Sequence, residues 1–139
     1  MPTLETTSKK LKAIHTAIDL FNLYGFHNTG VDLIAKETKI PKATLYNYFH
    51  SKERFIEICL IVQKERLKEK VVSIAEYDCN TNVVDKLKKL YFLHTDLEGL
   101  YYLLFKAIFE TKLTYPKAYQ VAIKYRTWLI NEIYSQLRA

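Results

Sequence analysis

Apolar residues recur at three- and four-residue spacing along nearly the whole chain, a period that belongs to amphipathic helices and not to strands. The first such segment, residues 8–24, places Ile14, Ala17, Ile18 and Phe21 on one face, and Gly25 after it supplies a left-handed stop. A second stripe, Val31, Ile34 and Ala35, predicts a short helix that opens at Thr29 or Gly30 and ends near Thr38. A Thr29 cap puts Asp32 in the first turn, where a carboxylate favours the helix N-terminus. Ala43, Leu45, Tyr46 and Phe49 form a third stripe over residues 42–49. Pro41 forbids continuing the second helix through Ile40, and its fixed φ suits the start of the third.

Ser51 is placed to cap a long fourth helix reaching about Ala75, with Glu53 in its first turn. Its predicted buried positions are Phe55, Ile58, Cys59, Val62, Leu67, Val71 and Ile74; Lys64, Glu65, Arg66, Lys68, Glu69 and Lys70 predict a solvated outer face. Residues 76–82 read as a turn and as the boundary with the rest of the chain, and Asn82 or Thr81 caps a fifth helix running to about Asp96. Gly99 breaks the pattern. A sixth helix over residues 100–112 is apolar nearly all round, which predicts burial on several sides or contact with another subunit. Pro116 starts the last helix.

The fold class is therefore all-α, and the three Gly and three Pro in 139 residues agree with it. This length, with 49% hydrophobic residues, gives one or two small domains. No apolar run approaches a membrane span, so the expectation is a cytoplasmic protein with no membrane partner. Cys59 within a helix and Cys79 in a loop make neither a disulfide framework nor a metal-ligand spacing, and Cys59 reads as a small core residue. A formal charge of +6 favours a polyanionic partner, weakly by itself. Residues 1–54 hold 8 basic against 5 acidic side chains and residues 55–139 hold 13 against 10, so the excess is denser in the first part.

Two short helices separated by so few residues must cross sharply, and residues 25–53 have the layout of a helix-turn-helix that reads DNA. The third helix is too short to stand alone, so packing of Leu45 and Phe49 must hold its outward positions. Lys9, Lys10 and Lys12 in the first helix are within the same basic part and can graze a phosphate backbone.

The carrying residues are Ala17, Phe21, Gly25, Phe26, Thr29, Val31, Ile34, Ala35 and Ile40, then Thr44, Leu45, Tyr46, Tyr48, Phe49, Ser51, Lys52 and Glu53. On them the chain resembles the TetR family of bacterial transcriptional regulators over about residues 10–60, with the Leu45-to-Glu53 run as the specific part. Phe109-Glu110 and Tyr115-Pro116 look like a feature of such regulatory domains, more loosely. Departures are Lys39 where the turn commonly has Gly, Pro41 for a capping Ser, Gly30 for a phosphate-touching Ser or Thr, and Tyr48 for a common His. A non-Gly residue at Lys39 is expected to turn left-handed, at about 1 kcal/mol. The family's two further helices, which build its dimer interface, have no counterpart here, and residues 55–139 are expected to be incomplete relative to the family.

The resemblance implies a helix-turn-helix DNA-binding domain at residues 1–54 and a helical effector and dimerisation domain at 55–139. It implies double-stranded DNA as partner, a homodimer on a palindromic operator, repression relieved by a small hydrophobic or aromatic effector, and no cofactor or metal. DNA contacts would come from Thr29, Gly30, Lys42, Thr44, Tyr46, Asn47, Tyr48 and Lys52. An effector would meet Tyr91, His94, Tyr102, Phe105 and Trp128 among helices four to seven, with His94 and the tyrosines as polar handles; the alternative is that these rings are ordinary core or dimer surface. No catalytic residue is expected, since His15, His27, His50 and His94 are scattered and there is no nucleophile arrangement or phosphate loop. A helical protein-interaction module and an architectural DNA binder without an effector are the competing readings.

Overall fold

The computed structural model of the chain describes residues 4–77, 82–95 and 102–138. Among these residues seven helices follow one another: α1 (Leu4–Tyr24), α2 (Val31–Thr38), α3 (Lys42–Phe49), α4 (Lys52–Tyr77), α5 (Val83–Thr95), α6 (Leu103–Glu110) and α7 (Pro116–Arg138). No strand occurs among the described residues. The all-α expectation holds, with α1 to α3 forming a compact N-terminal unit that the long α4 joins to α5 to α7.

Local chemistry sets the ends. Gly25 takes φ +90° and its N–H donates to the Phe21 carbonyl, closing α1 in the left-handed form that an unbranched backbone adopts without strain. Ser51 Oγ accepts the Arg54 N–H at 3.0 Å and caps α4, and Asn82 Oδ1 accepts the Asp85 N–H at 2.9 Å and caps α5. Pro116 opens α7, as its missing N–H and fixed φ permit. The expected cap of α2 is corrected: Gly30 is its N-cap, with no side-chain bond, while Thr29 is fully buried and donates its hydroxyl to the Gly25 and Leu20 carbonyls. The turn at 78–81 with Cys79, the end of helix five at Asp96, the Gly99 break and the start of helix six at Leu100 lie outside the described residues.

One core runs through the molecule. In the N-terminal unit Phe21, Phe26, Ile34, Leu45, Phe49 and Phe55 close on one another, Phe49 stacking on Phe55 at 4.0 Å between centroids. In the C-terminal part Ala118, Ala122, Tyr125 and Leu129 make the buried stripe of α7, which packs against α4, α5 and α6. The side-chain direction of α4 departs from expectation, because Ile56 and Leu60 are fully buried while Ile58, Val62 and Ile74 are half-buried. Its charged face is also not wholly solvated: Arg66 reaches His15 Nε2 at 3.2 Å, and Lys68 lies over the Trp128 ring at 4.9 Å. α6 buries Leu103, Leu104 and Ala107 on one side and turns Phe109 outward, 80% exposed. Cys59 is a core residue as expected, and burial pushes its thiol well above the usual range. Among the described residues no helix is long and apolar enough to cross a membrane.

Candidate nucleic-acid interface

The turn between α2 and α3 is built from three residues. Lys39 adopts φ 59°, ψ 27°, the left-handed conformation expected where the family commonly has Gly. Thr38 fastens the turn from inside: its hydroxyl donates to the Ile34 carbonyl at 2.7 Å and accepts the Ile40 N–H at 3.3 Å. Pro41 then sits at φ −56°, ψ 142° as the N-cap of α3, and its carbonyl accepts the Leu45 N–H. At the far end His50 takes φ 71° and donates its N–H to the Tyr46 carbonyl at 2.7 Å. The sequence carries only a weak signal of this second strained residue, since histidine visits positive φ more readily than most side chains but far less than Gly.

α3 thereby presents two faces. Leu45 and Phe49 are buried and anchor it, while Lys42, Ala43, Tyr46 and Asn47 are exposed and Thr44 and Tyr48 half-exposed. The predicted stripe is corrected at Ala43 and Tyr46, which lie outside the core because α3 docks through a narrower seam than its composition suggests. Lys42 Nζ pairs with Asp32 Oδ1 at 2.9 Å and lies 5.9 Å from the Tyr46 ring centroid. The bond to Asp32, then its charge, raises the Lys42 ammonium above its ordinary value. Lys10 of α1 lies over Tyr48 at 5.3 Å, bringing one first-helix lysine to the edge of the same face. Gly30 leaves open space where a side chain would stand. Lys52, half-buried at the start of α4, lies over the Tyr115 ring at 5.5 Å. Thr29 is the one predicted contact whose side chain faces wholly inward, tying the α1–α2 loop to α1.

The family model described as bacterial regulatory proteins, tetR family, matches residues 13–58, which contain α2, α3 and the turn between them. The chain belongs to the tetR family. It is 30% identical over 129 residues to the biofilm operon icaADBC HTH-type negative transcriptional regulator IcaR of Staphylococcus aureus, covering 93% of this chain and 61% of that one. With IcaR of Staphylococcus epidermidis the identity is 32% over 110 residues, 79% of this chain and 51% of the relative. An uncharacterized HTH-type transcriptional regulator of Bacillus subtilis, YxaF, is 34% identical over 61 residues, 44% of this chain and 32% of its own length. The chain thus spans between a third and three-fifths of the length of these relatives. No solved structure matches it.

Beyond the matched segment, this tetR-family chain holds a pocket of about 310 Å³ between α5, α6 and α7, lined among others by Leu90, Tyr91, His94, Phe105, Leu129 and Ile133. Of the residues named for an effector, Tyr91, His94 and Phe105 line this pocket; Tyr102 and Trp128 are not among its lining residues, and Trp128 borders a separate depression beside α4. Both ring nitrogens of His94 are engaged within the protein. Its Nδ1 lies 2.7 Å from the Leu90 carbonyl and must donate to it, so Nε2 is the acceptor for the Tyr125 hydroxyl. Burial lowers the His94 pKa, against the opposing pull of the Leu90 carbonyl, and raises that of Tyr125, which keeps the pair neutral with the phenol proton in place. The exchange is invisible in the sequence, since Tyr125 and His94 sit on different helices.

Proposed function

We propose that the chain is the reading and sensing part of a transcriptional repressor that binds a palindromic duplex-DNA operator as a homodimer. The observation that carries this is the face of α3, a polar surface of Lys42, Thr44, Tyr46, Asn47 and Tyr48 held rigidly by buried Leu45 and Phe49 inside a tetR-family unit. Asn47 offers an amide that can pair with a base edge, and the Tyr46 and Tyr48 hydroxyls and Lys52 suit phosphate. The first-turn amides of α2, capped by no side chain at Gly30, offer donors for a further phosphate, with the adjacent Asp32 charge met by Lys42. Residues 1–54 would read and residues 55–139 would sense and pair. A single face makes few contacts, and useful affinity follows from two such faces on a twofold site. That both IcaR relatives are named negative regulators supports repression as the outcome.

The pocket supports a small effector. Because the His94 and Tyr125 polar atoms satisfy each other, the walls favour an uncharged, flat or hydrophobic molecule over an ion. Binding there would repel the DNA-bound state through α4, which packs against α1, α3, α5, α6 and α7. Selection from a random duplex library, followed by anisotropy titration of the winner, tests the reading. A palindromic winner bound far more tightly than scrambled DNA supports it; no enrichment from folded protein defeats it.

A further inference from the structure

Between the N-terminal unit and the corner joining α6 to α7, the structure places a set of contacts that the DNA-reading face does not require. Lys52 Nζ lies 5.5 Å from the centroid of the Tyr115 ring. The His27 ring, from the α1–α2 loop, stacks on the same tyrosine at 5.6 Å with 26° between planes, and His27 Nε2 donates to the Glu110 carbonyl at 2.9 Å. Lys106 adds a bond to the Asn22 carbonyl at 3.3 Å and lies 3.8 Å from Glu110 Oε2. The corner itself is held, because the Tyr115 N–H donates to the Thr111 carbonyl and the Thr111 hydroxyl to the Ala107 carbonyl.

We propose that Tyr115 is a positioning residue for DNA binding: its ring holds the Lys52 ammonium beside the reading helix, ready for a phosphate. Lys42 offers the contrast. A carboxylate offsets the Lys42 charge and takes one of its donors, whereas an aromatic face attracts an ammonium with no counter-charge and leaves its N–H donors for another acceptor. A free lysine stem loses rotamer entropy when it meets phosphate, and a ring that has already ordered it removes part of that cost. Tyr115 belongs to the α6–α7 corner, so the C-terminal part of the chain sets how ready Lys52 is.

The proposal rests on the DNA-binding reading, and the test separates the two. Anisotropy titrations on the selected operator at several salt concentrations are made with wild type, K52M, Y115L, Y115F and the double variant Y115L/K52M, with thermal unfolding recorded for each. K52M should shallow the slope of log affinity against log salt by about 1.8, the signature of one lost phosphate contact in each subunit of the dimer. Y115L should weaken binding about threefold to tenfold and shallow the slope in the same direction, Y115F should retain the wild-type slope, and the double variant should bind like K52M alone. Additive losses, an unchanged slope in Y115L, or no effect of K52M would each overturn the proposal. If wild type binds no duplex at all, it is the DNA-binding reading that falls. Should Y115L fail to fold, proton NMR of wild type decides: ring current from Tyr115 should move the Lys52 ε-methylene signal upfield, and an unshifted signal counts against the contact.

Discussion

Gly25 is the residue whose backbone leaves least choice. At φ +90° an L side chain is strained, and a Cβ there would also come within 2.7 Å of Glu110 Oε1. The carboxylate is the end of a flexible chain and can swing aside, so the lasting cost of Gly25→Ala is the backbone conformation, about 1–2 kcal/mol, read as a lower urea midpoint with unchanged m. His94 makes a different demand. Its folded pKa is depressed below the ordinary 6.5, so below about pH 6.5 the unfolded chain takes up a proton that the folded chain refuses. Stability attributable to His94 is therefore full above that pH and declines as the pH falls toward the depressed folded value. Denaturation at pH 7.5 and 5.5 should show this loss. His94→Phe, though less stable at both because Tyr125 loses its acceptor, should show a smaller difference between them; an equal difference would mean that other groups carry the acid sensitivity.

At the scale of the element, α3 separates anchoring from reading. Leu45→Ala removes a side chain only 1% exposed and should cost about 2–5 kcal/mol, with operator binding lost alongside. Asn47→Ala removes an exposed side chain; its melting temperature should correspond to a change within about 0.5 kcal/mol, while discrimination at one operator position should fall by about 1–3 kcal/mol. A uniform loss across all sequences would instead assign Asn47 to the phosphates. The same helix shows what was legible in the chain. Period, Pro41 and Ser51 located α3 and its neighbours because these are local steric and capping effects. The inward turn of Thr29, the burial of Ile56 and Leu60 in place of Ile58 and Val62, and the Tyr115 clasp on Lys52 were not legible. They depend on how helices distant in sequence are rotated against each other, and one sequence holds no local signal of that rotation.

For the whole molecule the question is whether the pocket and the reading face share one free-energy balance. A pocket of about 310 Å³ can admit a ring system, and Ile133 on α7 stands on its wall. Ile133→Trp should fill it with an indole, at a smaller packing penalty than in a closed core because the space already exists. Uncharged aromatic compounds that raise the unfolding temperature of wild type, by about 2.7 kcal/mol of stabilisation at a hundredfold excess over Kd, should lose that effect in the variant. Compounds that stabilise both proteins equally bind elsewhere, and the pocket would then be no sensor. A compound that passes this comparison must also obey linkage. If it lowers operator affinity tenfold, the operator must lower its affinity tenfold, because both numbers measure the same coupling of about 1.4 kcal/mol. Stabilisation with no change in operator affinity would make the pocket a passive cavity; a measured coupling would make α4, packed against both the reading unit and α5 to α7, the element whose two arrangements are to be sought.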